Sequence, residues 1–167
     1  MSLTSTYLHI NKSDDTLANM KVEVDQSTKL EQSGPTIIAF ANGKSGAVVI
    51  PSKVKHAAFK ILISKGKSRE ISKWLLFSAC VFLLLHEHLN KLTHITIDVE
   101  YTGKNNDIKA TLLRYIWRNY PKFDESIIKF ALVGKGSPSD IKARNVRLGK
   151  DKNYRKIKLK ELIEVLA

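Results

Sequence analysis

The chain has 167 residues, a length typical of one domain of ordinary size. Its 43 % hydrophobic and 26 % charged residues exclude a chain that is disordered throughout, and its single cysteine excludes a disulfide framework or a cysteine-built zinc site. The formal net charge of +12 departs from the average and indicates an anionic partner.

Residues 1–33 form a polar N-terminal segment. One alternation in it, apolar Met20, Val22 and Val24 between polar neighbours, predicts an edge strand or a hairpin arm at best. The alternative is that this segment is partly disordered. A single α/β domain is expected to occupy residues 34–167.

Apolar periodicity and turn residues predict five strands and four helices in that domain. The strands are predicted at 36–41, 47–50, 58–64, 94–101 and 127–133, and the helices at 69–91, 105–119, 137–148 and 159–166. Short turns join the first three strands, whereas helices separate the later ones, so the sheet should be antiparallel first and parallel afterwards. We therefore predict an α/β fold with a mixed five-stranded sheet, three antiparallel strands followed by βα units, and flanking helices.

No segment of the chain suits a membrane span or a secretory signal. The longest apolar stretch, 74–85, is shorter than the about 20 residues that cross a bilayer. Residues 1–25 are polar and lack the apolar centre of a signal peptide. We expect a cytoplasmic protein without a membrane partner.

The positive charge is concentrated in the C-terminal part, where residues 129–160 hold 11 Lys and Arg against two acids. Several of them follow a glycine turn, Gly134-Lys135-Gly136, and the start of a helix, where free backbone amides favour phosphate. The alternative is a solvated basic face. The residues predicted to bind nucleic acid are Lys135, Lys142, Arg144, Arg147, Lys150, Lys152, Arg155 and Lys156.

Asp98 and Glu100 are the strongest candidates for chemistry. They lie two positions apart on a predicted strand, so both side chains project from one face. Paired carboxylates near the carboxyl end of a parallel strand suit Mg²⁺ or Mn²⁺, which prefer oxygen ligands. The alternative is a polar strand face that meets water or a neighbouring cation.

Four short strings, with the order of elements over residues 36–148, resemble the ribonuclease H-like fold. The strings are Phe40-Ala41-Asn42-Gly43 at a strand end, Glu70 near a helix start, Asp98-Val99-Glu100-Tyr101 at a strand end, and Gly134-Lys135 before a helix bearing Asp140. The resemblance implies a site in which Asp98, Glu100 and Glu70 act as catalytic residues and bind Mg²⁺ or Mn²⁺.

The chain departs from that family at two positions: Asn42 stands where the first strand ends in Asp, and Lys135 where the late turn has His. Losing an anionic ligand favours a nucleic-acid-binding protein on a ribonuclease H-like scaffold with a degenerate active site. One alternative is a Mg²⁺- or Mn²⁺-dependent nuclease that hydrolyses phosphodiester bonds. Another is a regulatory or assembly module whose basic face binds an acidic protein partner.

Overall fold

The computed structural model describes residues 19–167, so most of the polar segment predicted at 1–33 lies outside the described residues. In chain order the elements are β1 (Met20–Ser27), β2 (Thr36–Asn42), β3 (Lys44–Ile50), α1 (Ser52–Ser64), α2 (Arg69–Leu85), β4 (Leu92–Asp98), α3 (Asn105–Trp117), β5 (Ile128–Ala131), α4 (Pro138–Arg147), β6 (Arg155–Lys156) and α5 (Leu159–Leu166). None of these helices is long and apolar enough to cross a bilayer.

The described strands form one mixed sheet in the order β5-β4-β1-β2-β3-β6. β2 pairs antiparallel with β1 and with β3, while the β1–β4, β4–β5 and β3–β6 pairs are parallel. The predicted α/β class and the change from antiparallel to parallel pairing are confirmed. The predicted count of five strands is wrong: the sheet has six, because β1 and the two-residue β6 join it and the predicted strand at 58–64 is helical.

β1 lies inside the sheet and not at its edge, contrary to the sequence-based expectation. It pairs with β2 on one side and with β4 on the other. Its apolar side chains, including Val22 and Val24, are buried in the main core. At this interior position, neighbouring strands on both sides satisfy the backbone hydrogen-bonding groups of β1. Because β1 spans Met20–Ser27, the sheet begins before residue 34.

Residues 58–64, predicted as the third strand, belong to helix α1. Ala58, Phe59 and Leu62 recur at helical spacing, so they lie on one side of α1 and pack into the main core. The three strands that open the sheet are consequently β1, β2 and β3. Helix α1 follows them directly, with Pro51 before its first turn.

Helices cover the two faces of the sheet unequally. Residues of α1, α2, α3 and α5 share the main core with one face. On the other face α4 packs across β1, β2 and β3, and its Ala143 and Val146 contact a small cluster with Ile37, Ala39 and Ala47. Polar side chains that alternate with the main-core residues of β1 and β4 therefore point to the α4 side.

Candidate metal centre

Adjacent parallel strands bring two aspartates side by side. Val24 of β1 is in register with Ile97 of β4, and both are fully buried in the main core. The next residue on each strand, Asp25 and Asp98, faces the opposite, α4 side because strand side chains alternate. Both lie near the carboxyl ends of their strands, which is where open α/β sheets place their ligands.

Glu100, just beyond the end of β4, completes a cluster of three carboxylates. Oxygen atoms of Asp25, Asp98 and Glu100 all lie within 4.8 Å of one another. Asp25 is 8 % exposed, and the other two are half-buried. Oxygen atoms at this spacing, on two strands of one sheet, can coordinate a single hard divalent cation.

Backbone amides orient two of the three carboxylates. Asp25 Oδ1 accepts a hydrogen bond from the Gln26 amide at 2.7 Å, and Asp98 Oδ1 accepts one from the Val133 amide at 2.8 Å. The second bond ties β4 to the segment after β5. Such bonds fix the direction of a ligand oxygen before a metal binds, as the outer shell of a metal centre does.

The negative charge of the cluster is not balanced by a cationic side chain. Among residues 19–167, no lysine, arginine or histidine forms an ion pair with any of the three carboxylates. Burial, together with repulsion from Asp25 and Asp98, raises the pKa of Glu100 to about 8. Burial and the nearby charges of Asp98 and Asp140 also raise the pKa of Asp25. A divalent cation would supply the missing positive charge.

The third predicted metal ligand, Glu70, is not brought into this cluster. It lies in the first turn of α2, and its carboxylate contacts Lys73 Nζ at 3.1 Å. Asp25 stands with Asp98 and Glu100 instead. The sequence did carry a signal for Asp25, since it continues the alternation of β1, but that alternation predicted an edge strand.

Asn42 does not occupy the place of a first-strand aspartate. It is the exposed last residue of β2, where it pairs with Lys44 in the tight turn to β3. β2 runs antiparallel to β1, and Ala41 pairs with Glu23. Asn42, the next residue, therefore lies closer to the start of β1, away from the end that carries Asp25. The first strand of the sheet carries Asp25.

Ser137 caps the start of the helix predicted at 137–148. Ser137 Oγ accepts a hydrogen bond from the Asp140 amide at 3.2 Å, and Pro138 is the first helical residue. The Asp140 carboxylate accepts a hydrogen bond from the Gly136 amide at 2.8 Å. Asp140 therefore closes the glycine turn while its charge acts on Asp25.

The eight basic residues predicted to bind nucleic acid are not equivalent. Lys142 is buried and contacts Asp151 at 2.7 Å, and Arg155 donates two hydrogen bonds to Glu161. Arg147 donates from Nε to Ser27 Oγ at 2.9 Å, at the end of β1. The remaining five side chains are exposed and available to a polyanion: Lys135, Arg144, Lys150, Lys152 and Lys156.

No protein-family model, curated protein or solved structure matches the chain.

Proposed function

We propose that the protein is a Mg²⁺- or Mn²⁺-dependent nuclease that hydrolyses phosphodiester bonds at Asp25, Asp98 and Glu100. The observation that carries this proposal is the uncompensated cluster of three carboxylates within 4.8 Å, across two parallel strands. A degenerate site is expected only if the first strand lacks an acid. β1 supplies Asp25, so we favour the active nuclease over the degenerate scaffold.

The order of elements supports a ribonuclease H-like scaffold for this site. Three antiparallel strands precede two helices, and β4, α3, β5 and α4 then alternate along the chain. The acids follow the same plan: Asp25 is on the first strand, Asp98 ends the fourth, and Asp140 opens the helix after the fifth.

The carboxylates would hold the metal, and their backbone partners would orient it. The bonds from Gln26 and Val133 keep one oxygen of Asp25 and of Asp98 fixed, which limits the positions a metal can take. Glu100 would lose its proton as the metal binds. Bound there, Mg²⁺ or Mn²⁺ would stabilise charge on the phosphate and lower the pKa of an attacking water.

Positive charge near the cluster supports nucleic acid as the substrate. Arg147 reaches the end of β1 through Ser27, two residues beyond Asp25. Lys135 is exposed in the glycine turn that Asp140 closes. Cations beside a metal-binding cluster attract a phosphate backbone to it, and the net charge of +12 favours the same encounter.

The test is cleavage of labelled single-stranded and duplex nucleic acids in Mn²⁺ and in EDTA. We expect cleavage only with Mn²⁺, and Asp25→Asn should reduce its rate by about 100-fold or more, since a lost ligand removes several kcal/mol of transition-state stabilisation. Glu125→Gln is the matched control, because Glu125 is exposed and lies before β5, at the amino end of the strands.

Two results would contradict the proposal. One is a wild-type protein that binds these substrates but cuts none of them in Mn²⁺, as a scaffold with lapsed chemistry would. The other is an Asp25→Asn variant that cleaves as fast as Glu125→Gln, which would remove the cluster from the reaction.

A further inference from the structure

A groove of about 550 Å³ lies between helix α1 and the loop that joins β1 to β2. Leu30, Phe59 and Ile63 form an apolar part of its lining. The cationic side chains of Lys55, Lys60 and Arg69 also line it. Its volume lies in the range of small-molecule sites and is sufficient for one nucleotide.

The groove lies at the same end of the sheet as the carboxylate cluster. β1 and β3 are both antiparallel to β2, so the carboxyl ends of β1 and β3 share one end of the sheet. Asp25 lies near the end of β1, and α1 begins two residues after Ile50, the last residue of β3. The groove and the cluster therefore share one end of the sheet, the groove on the α1 face and the cluster on the α4 face.

The β1–β2 loop connects the two sites directly. Towards the cluster, Lys29 Nζ donates to the Glu100 carbonyl oxygen at 3.4 Å, and the Tyr101 hydroxyl donates to the Glu31 carboxylate at 3.3 Å. Towards the groove, Lys55 Nζ donates to the Gln32 carbonyl oxygen at 2.8 Å. The β1–β2 loop thus contacts the segment that carries Glu100 on one side and lines the groove on the other.

Lys55 gives the groove a buried positive charge. Its side chain is 5 % exposed, and its ammonium donates to two neutral acceptors, the Gln32 carbonyl and, at 3.1 Å, Thr36 Oγ1. In the described part of the chain no carboxylate lies within ion-pair distance of it. Glu31 attracts Lys55 from beyond ion-pair distance. A buried cation without an ion-pair partner is costly, and an anionic ligand would lower that cost.

The rim of the groove is cationic as well. Lys60 and Arg69 are exposed, and within residues 19–167 neither forms an ion pair. The Arg69 guanidinium lies 5.4 Å from the centre of the Phe59 ring. Glu31 is the acid in the lining, and Tyr101 already donates to it. An apolar surface beside cations fits the base and the phosphate of a nucleotide.

We propose that this groove binds a nucleotide of the strand that is cut at the carboxylate cluster, an inference that rests on the proposed nuclease function. The base would lie on the apolar lining, and its phosphate would contact Lys55, Lys60 and Arg69. An acidic peptide would match the cations but would leave the apolar lining unused. The strand is single-stranded here, because a base must leave its duplex stack to enter a groove.

The test is the affinity of a labelled single-stranded oligonucleotide of about 16 nucleotides, measured in EDTA by fluorescence anisotropy over a range of salt. Lys60→Glu and Arg69→Glu should each weaken binding by about five- to tenfold and lower the log–log salt slope by roughly 0.7. Lys122→Glu makes the same charge change on an exposed residue between α3 and β5. It should leave the affinity and the salt slope nearly unchanged.

Equal affinities and equal salt slopes for Lys60→Glu, Arg69→Glu and Lys122→Glu would overturn the inference. So would a polyglutamate peptide that displaces the oligonucleotide at equal charge concentration, because that result points to an acidic protein.

Cleavage of a small phosphodiester reporter in Mn²⁺ separates this failure from that of the nuclease proposal. Lys122→Glu should cleave the reporter as the wild type does, whereas Asp98→Asn should not. If the wild type does not cleave the reporter, the proposed nuclease function is wrong. The anisotropy measurements would still show whether the groove binds the oligonucleotide.

Discussion

At the scale of single residues, the cluster owes its properties to carboxylates held close together in a half-buried position. Burial disfavours the charged form of each acid, and the repulsion between them adds to that effect. Without a metal, the cluster therefore keeps a proton at neutral pH that an exposed glutamate would have lost. That proton competes with any cation for the same oxygen atoms.

Mn²⁺ affinity should accordingly rise with pH. Since the pKa of Glu100 is about 8, metal binding at pH 7 should release close to one proton, and the affinity should increase by up to about 50-fold between pH 6 and pH 8. Calorimetry in two buffers with different ionisation enthalpies measures the release. Glu100→Gln should bind more weakly and without that pH dependence. An unchanged proton release in this variant would assign the proton to another group.

The sequence predicted two of the three clustered acids. Asp98 and Glu100 stand out because the alternation over 94–101 can be recognised locally, although β4 ends at Asp98 and Glu100 lies just beyond it. Asp25 is missed because the apolar–polar alternation of β1 is the same in an edge strand as in an interior strand of a sheet. The position of β1 is set by its pairing with β4, and no local pattern contains that contact. Glu70 was predicted from its place at a helix start, which does not determine what its side chain contacts.

At the scale of elements, α1 shows why a short apolar run is ambiguous. Residues 58–64 alone read as a strand, but Lys55 and Ala58 already lie on the buried side of a helix that starts at Ser52. Length decides such cases, since 13 residues suit a helix better than a strand. The predicted short turn between β2 and β3 is present at Asn42-Gly43, and the helix predicted at 137–148 is α4.

The β2–β3 pair contains a position that accepts only glycine without rearrangement. Gly46 is opposite Phe40, and a Cβ at Gly46 would lie 2.5 Å from Cε1 of the buried Phe40 ring. We expect Gly46→Ala to lower the free energy of unfolding by about 1–3 kcal/mol, because the ring must move within a packed core. Urea denaturation measures this loss.

Ser45→Ala, at the exposed neighbouring position of β3, is the control and should change stability by less than about 0.5 kcal/mol. Equal stabilities of the two variants would mean that the Phe40 ring yields freely to the added methyl group.

At the scale of the whole molecule, the layers are arranged unequally around the sheet. Four helices share the main core with one face, and α4 packs on the other. The α/β class and the mixed sheet were predictable because they follow from alternating periodicities along the chain. The assignment of each helix to a face was not, since apolar periodicity shows that a helix is buried but not against which face.

The pH dependence of stability should reveal the cluster in the intact protein. The folded-state pKa of Glu100 lies above its ordinary value of 4.5, so between about pH 4.5 and 8 the folded state binds more protons than the unfolded state. In EDTA this group should therefore lower the free energy of unfolding as the pH rises through that window. Comparing urea denaturation of the wild type with that of Glu100→Gln isolates the effect.

Mn²⁺ should restore the lost stability at pH 8, by about 2.7 kcal/mol at a concentration 100-fold above its dissociation constant. A wild type and a Glu100→Gln variant with parallel pH profiles, and no gain from Mn²⁺, would contradict the assignment.

The interior position of β1 also orders the events of folding. Its pairing with β2 closes a short loop, whereas its pairing with β4 joins segments that are 73 positions apart at Met20 and Thr93. Closing the longer loop costs more chain entropy, so the hairpin of β1 with β2 should form before β4 docks. Asp25 then meets Asp98 and Glu100 only in the late step. A chain that has stopped short of its native topology has not brought the three carboxylates together, so under the proposed function metal binding would report that folding is finished.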